Sequence, residues 1–195
     1  MTARIVLGVW AMVAATGVGV AHGAEYVLDP GHTQPHFSVR HLGYSTTIGR
    51  FNKTEGTLTM DREAGTGSLE VVIDATSLDT GNRRRDNHVL GKDFLHTEEY
   101  PTITYRADDV TYHGEAKDRA TVRGELTLLG VTLPVTLNVT QIRCGQHPFN
   151  GKPFCGFDAE ATIKRSDFGM TYGLPTAVGD EIQIMLSSEA FEQSS

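Results

Sequence analysis

The residues in this chain that could do chemistry are chiefly its histidines, two of which have a metal-ligand spacing. His32 and His36 are four residues apart, which would place both on one face of a helix and suit a zinc site. Pro35 and the surrounding alternation of apolar and polar residues predict a strand or its entrance instead. We therefore expect no metal, and polar or hydrogen-bonding roles for the histidines.

Catalytic signatures give no stronger lead. The sequence contains neither the GxSxG nucleophile motif nor the HExxH metalloprotease motif. The acidic pairs at 98–99 and 108–109 fall at predicted strand ends or loops, where carboxylates usually solvate turns. We expect no catalytic residues, no enzyme activity and no cofactor. A metal-assisted or acid/base enzyme that uses His32, His36 or His88 is the less favoured alternative.

The amino-terminal residues indicate export. Arg4 is followed by an apolar run over 5–15 and a stretch of small residues that ends at Gly23, an order typical of a secretory signal peptide. The apolar run is shorter than the roughly 20 residues that a membrane-spanning helix needs. We therefore predict a signal peptide over 1–23, cleavage after Gly23, and a periplasmic single-domain protein over 24–195 with no stable membrane anchor.

Export to the periplasm bears on the role of the two cysteines, Cys144 and Cys155. Catalytic dithiols usually have a CxxC spacing, whereas ten residues separate this pair. In an exported protein such a pair typically forms a disulfide that closes a hairpin loop. We therefore predict a structural Cys144–Cys155 disulfide.

The charge of the chain limits its partners. The formal net charge is -7, and removal of residues 1–23 deletes one arginine and no acid, which leaves -8. Nucleic acids and anionic membrane surfaces favour proteins with a clustered positive field. The whole-chain charge therefore argues against both as partners.

Strict alternation of apolar and polar residues dominates the remaining sequence and predicts strands with one buried face. Examples are the apolar positions of 69–73, 103–107, 122–128, 135–139, 157–163 and 182–186. With further strands over 34–42 and 49–61, we predict an all-β protein of about eight antiparallel strands. A sheet of that size must split into a sandwich or close into a barrel. Small residues at inward positions (Ala107, Gly124, Ala159, Ala161) and the need to pair strand edges favour a lipocalin-like barrel.

One segment, RRRDNHVLGKDF over 83–94, interrupts the alternation. Asn82 can cap a helix that begins at Arg83, Asp86 places an acid in its first turn, and Gly91 can end it after about two turns. We therefore predict a short helix over 83–91 that lies against the barrel as a lid, with Leu90 and Phe94 inserted.

Several segments together resemble the YceI-like family of secreted polyisoprenoid-binding proteins. The similarity is carried by YVLDPGHTQPHFSVRHLGYSTTIGRF (26–51), LDTGNRRRDNHVLGKDFLHTEEYPTITY (78–105), GELTLLGVTLPVTLNV (124–139) and DFGMTYG (167–173). The resemblance implies a lipocalin-like barrel whose apolar tunnel holds an isoprenoid chain of polyprenyl or quinone type, for carriage or storage in the cell envelope. It also implies a homodimer.

The alternative to lipid binding is an envelope module that binds a protein partner and whose barrel is filled by its own side chains.

The resemblance and the alternation together suggest which residues hold such a lipid. The predicted tunnel residues are Phe37, Val39, Leu42, Phe51, Leu90, Phe94, Ile103, Tyr105 and Phe168, and the predicted head-group contacts are Arg40, His41, Tyr44 and His88.

Overall fold

A computed structural model describes residues 23–193 of the chain. The predicted signal peptide, up to residue 22, lies outside the described residues. Within the described range the chain forms eleven β-strands and one α-helix. In chain order these are β1 (Ala24–Leu28), β2 (His36–His41), β3 (Ser45–Phe51), β4 (Thr54–Asp61), β5 (Thr66–Asp74), β6 (Leu78–Asp79), α1 (Arg83–Leu90), β7 (Thr102–His113), β8 (Arg119–Leu128), β9 (Val131–Gln146), β10 (Pro153–Lys164) and β11 (Val178–Glu192).

Eight of the strands close into an antiparallel barrel. Their order around the ring is β1, β4, β5, β7, β8, β9, β10 and β11, and β11 completes the ring by pairing with β1. Each of these strands has a neighbour on both sides, so closure removes the unpaired edges that an open sheet would expose. The prediction of a lipocalin-like barrel of about eight strands with one short helix is confirmed.

β11 is long enough to pair with two strands in succession. Its last residues pair with β1, where Ala190 lies opposite Leu28. Its first half pairs with β2, where Val178 lies opposite His41. β2 pairs in turn with β3, and β3 with the short β6. The β2–β3 hairpin is therefore an arm attached to the first half of β11.

The prediction of one continuous strand over 49–61 is wrong. β3 stops and β4 starts on either side of Asn52 and Lys53. The Asn52 N–H donates to the Ser77 carbonyl at 3.1 Å, and the Lys53 N–H donates to Ser77 Oγ at 3.0 Å. These bonds divert the chain from the β2–β3 arm into the closed ring. Alternation alone could not show the break, because its cause lies more than twenty residues away.

A glycine on the inner face of β8 makes room for a tyrosine. A Cβ on Gly124 would lie 2.4 Å from the Arg106 carbonyl oxygen and 2.7 Å from Tyr105 Cζ. The Tyr105 ring can pack closely on Gly124 because the glycine has no Cβ, and its hydroxyl donates to the carbonyls of Val122 at 3.2 Å and Val135 at 2.9 Å. Burial raises the pKa of Tyr105 to about 12, so the hydroxyl stays protonated.

Helix α1 begins and ends close to where the sequence predicted. The Asn82 side chain accepts from the Arg85 N–H at 3.1 Å, as expected of an N-cap. The helix ends at Leu90, and the Gly91 N–H donates to the His88 carbonyl. No helix within residues 23–193 is long and apolar enough to cross a membrane.

The predicted disulfide is present. Cys144 on β9 lies directly opposite Cys155 on β10, and the two are bonded. The bond closes the loop over 147–152, which lies beside the carboxyl end of β11 because Phe154 pairs with Phe191. The β2–β3 hairpin and this disulfide loop therefore stand at opposite ends of β11.

Candidate functional site

The barrel encloses a cavity of about 500 Å³. This volume lies within the ~300–1,000 Å³ range of small-molecule pockets. It also exceeds the ~150 Å³ of an apolar cavity that stays dry and binds benzene. Every strand of the ring contributes aliphatic or aromatic side chains to its wall. They include Leu28, Leu58, Leu69, Val71, Ile73, Ile103, Val110, Val122, Leu126, Leu128, Val135, Leu137, Val139, Phe157, Ile163, Ile182, Ile184 and Leu186.

Most of the predicted tunnel residues lie in this wall. The β2–β3 arm contributes an aromatic pair, Phe37 and Phe51, whose ring centroids are 5.9 Å apart. The structure thus brings together six of the nine side chains proposed from the sequence. They are Phe37, Val39, Phe51, Phe94, Ile103 and Tyr105.

The other three predicted tunnel residues do not line the cavity. Leu42 lies in the turn after β2 and is 52% exposed, with a φ of 52°. Leu90 ends α1 and packs against the core, while its neighbours Val89 and Leu95 reach the wall. Phe168 is buried in the short 3-10 turn after β10. Leu90 and Phe168 do pack in or against the core, as apolar residues are expected to. They do not face the cavity, because side-chain directions in turns and at helix ends do not follow the alternation of a strand.

The predicted head-group residues divide in the same way. His41 and His88 line the cavity, whereas Arg40 and Tyr44 do not. Arg40 precedes His41 on β2, and neighbouring strand residues point to opposite faces. Its guanidinium donates to the Gly43 carbonyl at 2.7 Å on the outside. Tyr44 stands in the hairpin turn and is 92% exposed.

The cavity opens to solvent beside α1. His41, Arg85, His88 and Tyr172 line the cavity and are also exposed at the surface. They come from the β2–β3 hairpin, from α1 and from the loop over 169–177. We call the opening between these three segments the mouth. α1 therefore lies where the sequence predicted a lid.

An aromatic cluster partly covers the mouth. The His88 ring lies edge-on to Phe94 at 5.1 Å and to Tyr172 at 5.2 Å, and the Phe94 and Tyr172 centroids are 5.3 Å apart. His88 Nε2 lies 2.9 Å from the Asp93 carboxylate. This pairing holds the imidazole between α1 and the loop over 169–177. Phe94 lines the cavity, so it forms the inner side of the aromatic cluster.

A buried arginine that was not among the predicted site residues supports the loop beside the mouth. Arg165 is 1% exposed and lines the cavity. Its Nε donates to the Gly179 carbonyl at 2.8 Å, and Nη1 donates to the Met170 carbonyl at 2.8 Å. Nη2 donates to the carbonyls of Tyr172 and Val178, each at 2.9 Å. One guanidinium thus ties together both ends of the loop that carries Tyr172.

The charge of Arg165 is balanced only from a distance. Burial lowers the pKa of Arg165, and the Asp180 carboxylate opposes that shift. The guanidinium carbon also lies 5.9 Å from the Phe94 ring centroid, within the range of a cation–π contact. The sequence did carry a signal for this residue, because Arg165 continues the inward positions of β10 that include Phe157 and Ile163.

The cavity wall, as far as the structure describes the chain, carries basic side chains without acidic ones. Within residues 23–193 the lining includes Arg85 and Arg165, together with His36, His41 and His88, and neither aspartate nor glutamate. The whole chain, by contrast, has 24 acidic against 17 basic residues. The polar part of the site therefore offers hydrogen-bond donors and positive charge, which suits a ligand group that accepts hydrogen bonds.

The histidines considered for metal chemistry do not form one group of ligands. Exposed His32 lies 2.7 Å from Asp29 and 3.8 Å from Glu189, the only cluster of three or more potential ligands within the described part of the chain. His36 Nδ1 donates to a backbone carbonyl. His88 is engaged at the mouth. His36 and His88 both line the cavity, whereas His32 does not.

Comparisons with known proteins agree with this architecture. The YceI-like domain matches residues 26–190. Protein YceI of Escherichia coli is 38% identical over 178 residues, 90% of this chain and 91% of that protein. The crystal structure of Burkholderia cenocepacia BcnA has a TM-score of 0.71 at 26% identity, over 83% of this chain and 98% of that one. A polyisoprenoid binding domain from Saccharophagus degradans implicated in plant cell wall breakdown shares the fold, with a TM-score of 0.64 at 18% identity over 88% and 100% of the two chains. The chain belongs to the YceI-like family.

Proposed function

We propose that this protein binds a long-chain amphiphilic lipid of isoprenoid type, polyprenyl or quinone-like, in the barrel cavity. The observation that carries the proposal is the apolar cavity of about 500 Å³ with a partly covered mouth. A barrel filled by its own side chains, as a protein-interaction module would have, would leave no such space. Binding without catalysis is the activity that this wall supports, because its side chains are overwhelmingly aliphatic and aromatic.

The affinity would come from burial of the chain. Each CH₂ group moved from water into an apolar site contributes about 0.8 kcal/mol. Ten buried groups would therefore contribute roughly 8 kcal/mol, from which the ordering of the ligand must be deducted. Affinity would increase with chain length until the cavity is full, and the head group would have less influence.

The head group would lie at the mouth. Arg85, His41 and His88 line that end, and each can donate a hydrogen bond. A hydroxyl, a quinone oxygen or a phosphate would each accept from these donors. Arg40 and Tyr44 face away from the cavity and have no part in this contact.

The proposed setting is the cell envelope, where the protein would carry or store its lipid, alone or as a homodimer. The Cys144–Cys155 disulfide supports that setting, since disulfides persist chiefly in oxidising compartments outside the cytosol. The amino-terminal signal-peptide pattern supports it independently.

Native mass spectrometry of the freshly purified protein, followed by extraction into organic solvent, tests the proposal. We expect a bound long-chain isoprenoid, and we expect lipid-free protein to take up polyprenols in order of chain length. An Ala159→Phe variant, which places a large ring at a position of β10 that lines the cavity, should reduce uptake while the barrel remains folded. Protein that is consistently empty and takes up no such chain would refute lipid binding.

A further inference from the structure

The turn of the β2–β3 hairpin exposes apolar side chains directly at the mouth. Tyr44 is 92% exposed and Leu42 is 52% exposed. The Leu42 N–H donates at 2.9 Å to the carbonyl of Ala177, a residue that lines the cavity. His41, the last residue of β2, lines the cavity as well. The two apolar side chains therefore project from the rim through which a lipid must pass.

The backbone of this turn is unfavourable for leucine. Leu42 has a φ of 52° and Gly43 a φ of 73°. Tight hairpin turns with positive φ at both positions strongly prefer Asn, Asp or Gly, because larger side chains crowd the backbone there. A bulky apolar residue at an exposed, strained position contributes little to folding. Strained backbone positions of this kind cluster at functional sites.

The charge around the mouth differs from that of the whole chain. The three segments that bound the mouth are 40–48, with one arginine; 83–94, with three arginines, one lysine and two aspartates; and 169–178, with no charged residue. They carry +1, +2 and 0, a total of +3, so the rest of the chain carries -10 of the net -7. Both acids among them have partners: Asp86 accepts from the N–H and hydroxyl of Thr80, and Asp93 pairs with His88. The mouth is therefore a positive region on a negative protein.

We propose that the Leu42–Tyr44 turn docks the mouth on an anionic lipid bilayer, with Leu42 and Tyr44 inserted at the interface and Arg40 contacting the head groups. An exposed aromatic and an exposed aliphatic residue beside basic groups suit that interface. Arg40 donates to Thr46 and Gly43 at the base of the turn, which holds its charge at the level of the turn. This inference rests on the proposed lipid-binding function, since docking would place the mouth where the ligand resides.

Vesicle co-sedimentation tests the proposal with the purified protein and vesicles of phosphatidylcholine, with or without phosphatidylglycerol. We expect binding to the anionic vesicles and at least a ~10-fold weaker binding for a Leu42→Asn, Tyr44→Ser double variant. Arg40→Gln, which keeps a donor for the turn, should weaken binding about fivefold on anionic vesicles alone. Leu42→Asn should leave the melting temperature unchanged or higher, because asparagine suits the turn better. A purely structural role for Leu42 would give the opposite.

Phe149 provides a matched control. It is 93% exposed and lies in the disulfide loop, near the other end of β11, about 40 Å along the strand from the mouth. Phe149→Ser should change vesicle binding less than twofold. Equal effects of the Phe149 and turn variants would overturn the proposal. A wild-type protein that binds neither kind of vesicle would also overturn it. So would light scattering that shows a dimer dependent on the turn, without vesicle binding, because the turn would then be a contact between two copies of the chain.

Lipid content, measured by extraction on the same samples, separates this inference from the proposed function. A turn variant that takes up polyprenols normally from detergent but fails to bind vesicles supports docking. Wild-type protein that is loaded with lipid yet binds no vesicles refutes docking alone. Vesicle binding by a protein that never contains lipid would refute the proposed ligand and leave the docking surface standing.

Discussion

Replacement of Arg165 by methionine removes the guanidinium that holds the loop over 169–177 and leaves four carbonyls without their donors. Charge-assisted hydrogen bonds contribute about 1.5–3 kcal/mol each, so four would give roughly 6–12 kcal/mol. Two effects reduce this sum. The variant no longer buries a charge, and water from the adjoining cavity can bond some of the freed carbonyls. We therefore expect a net loss of about 3–5 kcal/mol in the free energy of unfolding.

Urea denaturation followed by circular dichroism, with the disulfide intact, measures this loss. In a thermal melt, the same loss should lower the melting temperature of a domain of this size by about 6–20 °C. Arg106→Met is the matched control, because Arg106 is 71% exposed and pairs with Glu70 at the surface; its loss should stay below about 1 kcal/mol. An Arg165→Met protein within 1 kcal/mol of the wild type would refute the reasoning that this arginine anchors the loop.

Two further predictions concern packing and charge. Gly124→Ala should lower the free energy of unfolding by about 2 kcal/mol or more, since its Cβ would collide with the wall. Gly145→Ala, where a Cβ meets no atom within 4 Å, should be neutral in the same urea titration; equal losses would contradict the steric account. Asp29 raises the pKa of His32 above its ordinary 6.5, and His32 lowers the pKa of Asp29 below 3.8. The His32 contribution to stability is thus present below pH 6.5 and lost as the pH rises through the raised pKa, while that of Asp29 is present above pH 3.8 and lost on acidification. NMR titration should show the raised His32 pKa, and Asp29→Asn should return it towards 6.5; an unchanged value in the variant would rule out the pairing.

Alternation in the sequence predicted much of the wall. Side chains on a strand point to alternate faces whatever the rest of the fold does. The inward positions of β8 and β10 could therefore be assigned from the sequence alone. The same rule places Arg165, two positions after Ile163, on the inner face.

The helix and the disulfide were also predictable, for local reasons. The Asn82 cap and the residue that follows Leu90 act within one turn of the helix. The chain contains only two cysteines, so their pairing could be predicted once export was inferred. In each case the deciding contact is between residues close in sequence.

Position relative to the mouth was not predictable in this way. Leu42 was assigned to the tunnel because it is apolar, and Tyr44 was assigned to the head group because its hydroxyl can form hydrogen bonds. The structure places both outside the cavity. They lie in a turn, where side-chain direction depends on φ values and on the contact with Ala177. The break between β3 and β4 escaped prediction for a similar reason, since Ser77 causes it from a distance.

By itself, then, the sequence determined the strand faces, the closed all-β fold, the short helix, the disulfide and the family, because these depend on periodicity, local capping and ordered motifs. Only the tertiary structure decided that Arg165 is buried among four carbonyls and that the cavity wall has basic but no acidic groups. It alone gathered the basic segments of a net negative chain around one opening. These features depend on contacts between segments that are far apart in the sequence, and no local sequence pattern predicts such contacts.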